Sequence, residues 1–575
     1  MSSAPAGFEF GTFRLDPDKG VLWHDGALVP LTPKVLALLQ ALVEARGDVV
    51  PKANLMARVW PDTVVGDANL SVTVSALRRG LGQHAGDPAW VETVPRRGYR
   101  FTAPLRAPAA SPALVLAILP FRGIGPDAED HLGLGIADAL IGALTGVENV
   151  TVRPTGAVAH FAHQHVAPLE AAEALGADAV LDGTVQRQDH RVRIAVQLIP
   201  RRAGLPSWAE HFEAEESDIF ALHDRIAEQV ALALRAKLSR WRDAGPRAMR
   251  RPGFDAWETY LRGRYLWARL DTDGVTKALG CFGEAASREP TWAEPRAGLA
   301  AVHVLLGVGG IVPPRRAWRV AGECAREALE RDAVLPEAHL ASAWVALYRD
   351  WAWTEVRTGL DRAAALGMPD LHHWRALVLL LQGDMGSAAD ALARARETDP
   401  FSALSLTLQA LLHDVAGERE QSLLVSRRAV ELRGGHYLGH WRLGVALTRL
   451  GRHDEAIASL TRAVELAAGG TIMLCELAWA LAAAGRRDDA DALLLRLESA
   501  TGKTYVSPYE RAKILVALGR REEALDKLEQ AAEDRDPWVT FLGTDEALSS
   551  LRGEPRYSAL AQRLKAGAPP LSASA

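Results

Sequence analysis

Apolar and polar positions along this chain follow three different rhythms. Over residues 1–104, short alternating runs are mixed with helical patterns. The stretch "TPKVLALLQALVEARG" (32–47) puts Val35, Leu36, Leu39 and Val43 on one helix face, with Thr32 as N-cap, Pro33 at the first helical position and Gly47 closing it. A second helix is predicted over 52–60, ending at Trp60, and a third over 67–82, "DANLSVTVSALRRGLG", with Asp67 as its cap. On a wheel of about 100° per residue, Leu70, Val74, Leu77 and Leu81 of this third helix fall within about 40° of one another and predict a core stripe. The opposite face carries Asn69, Val72, Ser75, Ala76 and Arg79, with Arg78 at the side. About ten residues on, "WVETVPRRGYRF" (90–101) alternates Val91 and Val94 with Tyr99 and Phe101 around a Pro-to-Gly turn, which predicts a β-hairpin whose tip holds Arg96 and Arg97.

The rhythm changes after an Ala/Pro-rich stretch that reads as a linker (105–112). Residues 113–240 alternate strand and helix signals: "LVLAILPF", a helix around "HLGLGIADALIGAL", the strand "VTVRP", the helix "LEAAEALGA", then "DAVLDGTVQRQDHRVRIAVQLI" as a hairpin with Val192, Ile194, Val196 and Leu198 on one face, and a last helix over roughly 217–238. This predicts a small α/β domain. From 253 to 567 nearly everything is helical pattern, and it repeats. Gly383, Gly417, Gly451, Gly485 and Gly519 are 34 residues apart. Small residues recur around each glycine: Ala376, Ala410, Gly444, Ala478 and Ala512 before it, Ala388, Ser422, Ala456, Ala490 and Ala524 after it. Small side chains at matched positions let antiparallel helices approach closely, and the glycine turns the chain between them. A period held this strictly predicts a stacked array of seven or eight helix pairs.

Composition refines the picture little. At 575 residues the chain needs several cores, and its net charge of −5 leaves room for a local basic patch. From 68 to 101 the cations Arg78, Arg79, Arg96, Arg97 and Arg100 outnumber the acids Asp87 and Glu92, a local +3. Three scattered cysteines, Cys281, Cys324 and Cys475, argue against a disulfide framework or a structural zinc site. The N-terminal residues do not read as a signal peptide, and no apolar run approaches the roughly 20 residues of a membrane-spanning helix, so a cytoplasmic protein without membrane contact is expected.

The motifs "LTPKVLALL", "ALRRGLG" and "VPRRGYRF" together resemble the winged helix-turn-helix of OmpR/PhoB-type transcriptional regulators, especially the CadC/ToxR-like branch, over residues 8–102. The resemblance implies a four-stranded N-terminal sheet, three helices and a C-terminal wing, with helix 67–81 reading the DNA major groove and the 94–99 turn on the minor groove or backbone. The DNA-contacting residues so expected are Asn69, Val72, Ser75, Arg78, Arg79, Arg96 and Arg97. Where relatives often carry basic residues this chain has Ser75 and Ala76, so a base preference does not transfer. Residues 113–240 resemble the domain related to the N-terminal part of TolB. The 34-residue pattern is similar to the tetratricopeptide repeat, with "HWRLGVALTRLGRHDEAIASLTRAVEL" as its best copy.

Other chemistries receive less support. "HFAHQH" clusters His160, His163 and His165, but a metal site would need more than two of them on one helical face. "RGIGPDAEDHLGLG" lacks a nucleotide fingerprint and has Pro126 where the backbone would wrap a phosphate. Trp351 and Trp353 read as packing between repeats in preference to a ligand groove. No catalytic constellation stands out, so no enzyme activity, cofactor or metal is expected. The expectation is therefore a multidomain chain: winged helix-turn-helix (1–104), α/β domain (113–240), then an all-α repeat solenoid (253–567). It would act as a one-component regulator on double-stranded DNA, with a protein or peptide partner on the repeat groove and a homodimer on DNA. The alternative is a scaffold whose winged helix contacts protein. The pattern leaves open the operator, the signal, and activation against repression.

Overall fold

Why the first hundred residues fold as they do follows from one small core. The computed structural model describes residues 8–10, 13–16, 21–24, 27–29, 31–61, 65–82, 90–103, 114–125, 130–145, 150–162, 166–188, 190–201, 207–234, 252–268, 271–368, 371–432, 435–500 and 504–567. The chain divides into two compact units, Met1–Ala113 and Leu114–Ala575. In the first, strands β1 (Phe8–Phe10), β2 (Phe13–Asp16), β3 (Val21–His24) and β4 (Ala27–Val29) form an antiparallel four-stranded sheet in chain order. Helices α1 (Pro33–Glu44), α2 (Lys52–Val59) and α3 (Asp67–Gly80) follow, with the two-residue strand β5 (Val50–Pro51) between the first two. The hairpin β6 (Val91–Val94) and β7 (Gly98–Phe101) completes a three-stranded sheet, β5-β7-β6. Phe10 meets Phe101 edge-on at 5.0 Å, which joins the N-terminal sheet to the hairpin through one aromatic cluster.

The helix ends depart from expectation in two details. Thr32 is the N-cap of α1, but its side chain makes no capping hydrogen bond; Pro33 at the first position sets the entry instead. Asp67 does not cap α3. Gly66 is the N-cap, and Asp67 is the first helical residue, where its charge suits the helix dipole and pairs with Lys52 at 2.7 Å.

The second unit opens with a six-stranded sheet. Its elements are β8 (Leu114–Ile118), β9 (Arg122–Ile124), α4 (Asp130–Leu144), β10 (Val150–Val152), α5 (Thr155–Val158), α6 (Pro168–Ala174), β11 (Ala179–Gln188), β12 (Arg191–Pro200), β13 (Trp208–Glu215) and α7 (Ile219–Ala233). The strand order is β10-β8-β11-β12-β13, and β9 pairs with β11 in parallel. The hairpin β11–β12 buries Val192, Ile194, Val196 and Leu198, as the alternation predicts. The last helix begins at Ile219; residues 235–238 of the expected span, the linker 105–112, and His163 and His165 lie outside the described residues. This sheet and the repeats share one core: a single buried cluster runs from Leu116 to Ala341. Arg153, at the end of β10, donates to the Glu397 and Thr398 carbonyls, the latter at 3.0 Å, and Arg264 pairs with Asp138 at 3.0 Å.

Among the described residues eight antiparallel helix pairs follow, from Phe254–Ala268 with Thr272–Arg288 to Pro508–Ala517 with Arg521–Glu533, and a helix Pro555–Ala566 comes last. The five phased glycines all adopt the left-handed conformation just past a first helix, with φ between 73° and 85°. The small positions that flank them are buried, Ala388, Ser422, Ala456, Ala490 and Ala524 completely. Gly444 shows why size matters: a Cβ there would stand 2.4 Å from Leu460 Cγ. Gly280, inside helix Thr272–Arg288, would meet nothing within 4 Å. The substitutions should therefore diverge. Gly444→Ala should destabilise the second unit by about 1–3 kcal/mol through overpacking, less up to about 1 kcal/mol regained in helix propensity. Gly280→Ala should stabilise it by about 0.4–1 kcal/mol. Thermal unfolding of the two variants checks the contrast, and equal shifts would contradict it.

The array also curls until its ends meet. Trp318 Nε1 donates to the Arg535 carbonyl at 2.8 Å, Arg315 Nε to the Glu533 carbonyl at 2.9 Å, and Trp538 Nε1 to the Val308 carbonyl at 3.2 Å. Trp353 Nε1 reaches the Leu564 carbonyl at 3.1 Å, while Trp351 is fully buried with the Arg535 guanidinium 4.3 Å from its ring centre. The closed turn surrounds a chamber of about 930 Å³.

Candidate nucleic-acid interface

The face that could meet DNA is assembled by α3 and the β6–β7 hairpin. Leu70, Val74 and Leu77 are buried at 0–1% exposure and Leu81 at 4%, so they pin α3 to the core. Each contributes roughly 1.5–3 kcal/mol of apolar burial, enough to fix which face looks outward. That outward face holds Asn69, Val72, Ser75 and Arg79, all exposed, and Val72 is 66% exposed. Ala76 is half-buried against the core edge and does not belong to the open face. Ser71 and Ser75 hydroxyls donate back to the Asp67 and Ser71 carbonyls, and Thr73 to the Asn69 carbonyl at 2.8 Å, so the Asn69 side chain remains on the surface while its carbonyl is engaged.

Arg78 has a different place. Its Nε and Nη2 donate to the Val91 carbonyl at 3.0 and 2.7 Å, and Nη2 also to Thr93 Oγ1 at 2.9 Å. The guanidinium therefore clamps α3 to β6 and sets the hairpin's angle to the helix. Sequence spacing put Arg78 at the side of the helix, which is correct, but gave no sign of a partner on a strand thirteen residues ahead.

The hairpin turn is held from both sides. The Arg97 N–H donates to the Val94 carbonyl at 3.1 Å, across Pro95 and Arg96, and Arg96 has φ 63°. Proline followed by a residue of positive φ is the type II turn pattern, in which that second position favours glycine. Gly98 sits beneath β5, where a Cβ would fall 2.0 Å from the Val50 carbonyl oxygen. Val91, Tyr99 and Phe101 are buried as hairpin anchors, while Val94 is only half-buried.

Electrostatics then separates the cations. Lys52 pairs with Asp67, Arg58 with Glu44, and Arg100 with Glu92. Arg79, Arg96 and Arg97 have no ion-pair partner among the described residues and lie on the outward face of α3 and the hairpin tip. A helix presenting asparagine and arginine beside two unpaired arginines has the chemistry for base edges and phosphates. Among the described residues no group of three His, Cys, Asp or Glu could hold a metal, and no helix is long and apolar enough to cross a membrane.

Comparison with known proteins agrees with this geometry. The profile of the family described as "Transcriptional regulatory protein, C terminal" matches residues 26–101, and a tetratricopeptide repeat profile matches residues 439–469. The chain is 38% identical over 119 residues to the "Transcriptional regulator HilA" of Salmonella typhimurium, covering 20% of this chain and 21% of that protein. It is 25% identical over 245 residues to a Rhizobium meliloti protein named "Putative adenylate cyclase 3", covering 40% of each. It thus spans less than half the length of either relative. Among solved structures, the DNA-binding domain of E. coli CadC is 24% identical, covering 18% of this chain and 99% of that one, with a TM-score of 0.17. The likeness of the six-stranded sheet to the TolB-related domain rests on the sequence stretches alone.

Proposed function

From an N-terminal domain of the OmpR/PhoB winged-helix type joined to tetratricopeptide repeats, we propose a one-component transcriptional regulator that binds double-stranded DNA. The observation that carries this reading is the selective pairing of charge: Lys52, Arg58 and Arg100 are ion-paired and Arg78 is tied to β6, while Arg79, Arg96 and Arg97 are left outward. In this reading α3 enters the major groove. Asn69 faces an adenine edge, Arg79 a guanine or a phosphate, Val72 a thymine methyl, and Ser75 lies alongside. Arg96 and Arg97 take the backbone or minor groove, and Arg78 acts as a positioning residue through the hairpin. The chain works without catalysis, in the cytoplasm, as a dimer on DNA, and the repeat array senses a protein, peptide or small ligand.

Genome-wide mapping of sites bound by the full-length protein, followed by titration of a mapped site at increasing salt, tests the proposal. Affinity should fall steeply with salt, as counterion release from phosphates requires. A salt-insensitive association unchanged by Arg79→Ala would favour a protein-contacting scaffold. Arg96→Gly separates contact from folding. Glycine accepts φ 63° without the left-handed penalty of roughly 1–2 kcal/mol, against an unfolded-state cost of about 0.4–1 kcal/mol. The variant should melt within about 1 kcal/mol of the parent or above it, yet bind DNA more weakly; unchanged binding would remove Arg96 from the interface.

A further inference from the structure

The chamber inside the closed array has a chemistry of its own. Its walls are aromatic: Trp344 and Trp374 meet edge-on at 4.5 Å, Trp441 and Trp538 at 5.7 Å. Among its lining residues, eight carboxyl groups face four arginines and lysines. Each of the four bases is already answered. Arg264 pairs with Asp138 at 3.0 Å, Arg442 with the buried Asp414 behind the wall, Arg449 with Asp545 at 3.4 Å, and Lys513 with Glu510 at 2.8 Å and Glu476 at 3.0 Å. Burial pushes the Glu510 carboxyl up, against the pull of Lys513 and helped by its neighbour Glu476. Carboxyl groups thus outnumber the basic groups on the wall.

Two of them are open to a guest. Glu476 is 2% exposed; its Oε1 accepts from Trp441 Nε1 and Lys513 Nζ, both at 3.0 Å, and its Oε2 has no hydrogen-bond partner. Glu337, half-buried in the wall, forms no hydrogen bond or ion pair among the described residues. A buried carboxylate oxygen left without a donor is costly, and a ligand that supplies an N–H relieves it. The chamber already stabilises one ammonium against an aromatic face, with Lys513 Nζ 5.4 Å from the Trp479 ring centre. Unused arginine N–H groups are also present at Arg442 and Arg449, yet both guanidiniums lie beside carboxylates, so an anion would have to compete with ion pairs already made.

We infer that the chamber binds a small organic cation: an amine carried on an apolar or aromatic body, its ammonium on Glu476, with Glu337 adding to the negative potential of the wall, and its body against the tryptophan walls. This deepens the sensing role given to the repeat array and rests on that reading for its biological meaning, although the binding itself does not. A volume of about 930 Å³ is at the upper end of small-ligand sites and admits a guest well above amino-acid size.

The test uses the full-length chain and three probes of one shape: 2-phenylethylamine, the anion 3-phenylpropanoate and the neutral 2-phenylethanol. Calorimetric titration and tryptophan fluorescence should show the amine binding at least about tenfold more tightly than either isostere, a difference of about 1.4 kcal/mol. Glu337→Gln, in a half-buried wall position, should reduce that preference with no change in fold, and Glu476→Gln should reduce it further. Equal binding of the three probes, preference for the anion, a preference that survives both substitutions, or no binding of the amine at millimolar concentration would each overturn the inference. DNA affinity measured in parallel keeps the two readings apart. A chamber that binds amine while DNA affinity stays fixed would sink the sensing role alone; loss of DNA binding by Arg79→Ala with no amine binding would sink the chamber alone.

Discussion

Arg79→Ala is expected to lower affinity for the preferred DNA site by about 1–3 kcal/mol, roughly five- to 150-fold, with a much smaller loss on unrelated DNA. Arg97→Ala should weaken binding to all sequences alike and reduce the slope of log affinity against log salt by about one. The difference follows from position. Arg79 projects from the helix face that the core stripe of Leu70, Val74 and Leu77 turns outward, the face that the proposed docking turns to the base edges. Arg97 stands on a turn whose geometry is fixed by its own N–H and by Gly98 beneath β5, a platform suited to holding backbone phosphate. Titrating a mapped site and a scrambled duplex at two salt concentrations, with both variants, reads all four quantities. If Arg97→Ala were sequence-selective and Arg79→Ala were not, the roles would be reversed.

The second large effect concerns stability in the other unit. His223 of α7 is buried, packed 5.4 Å from the Trp257 ring, and its Nε2 has no hydrogen-bond partner. Burial holds its imidazole down to about 4, against 6.5 when exposed. Between those values the unfolded chain binds a proton that the folded chain does not, so stability falls as pH falls through that window. The span corresponds to about 3 kcal/mol from this one side chain. Buried carboxyls such as Glu510 and Asp536, held above their usual range, act in the opposite sense, so the difference between parent and variant isolates the histidine. In unfolding of the full-length protein between pH 7 and pH 4.5, His223→Leu should lose roughly 2–3 kcal/mol less stability than the parent. A variant with the parent's pH dependence would place the acid sensitivity elsewhere.

What the sequence made legible is local. The 34-residue phase was visible because each pair needs one left-handed turn and the same close approach, and only glycine and small residues meet both demands. Helix α3 and its open face were visible because four apolar residues in one stripe fix the orientation of all the others. Individual partners were less visible. Asp67 precedes an apolar run and so reads as a cap, but the turn places Gly66 at that position and Lys52 within reach of the carboxylate. Arg78 groups by sequence with the DNA-facing residues, and its engagement with β6 depends on how the hairpin returns. The chamber left no sequence signal: its closure joins residues 211 to 230 positions apart, and its lining is gathered from the inner faces of many helices, whose side chains on each helix alone read as core.

The three tryptophan-to-carbonyl latches carry a consequence for how such a chain can change over time. An open solenoid grows or shrinks by duplicating or losing a unit, because each unit touches only its neighbours. Here the eighth pair must land on the second. Inserting or deleting one 34-residue unit would advance or retard the curl and carry Arg535 away from Trp318. The number of repeats is thereby locked, and variation is confined to what lines the interior.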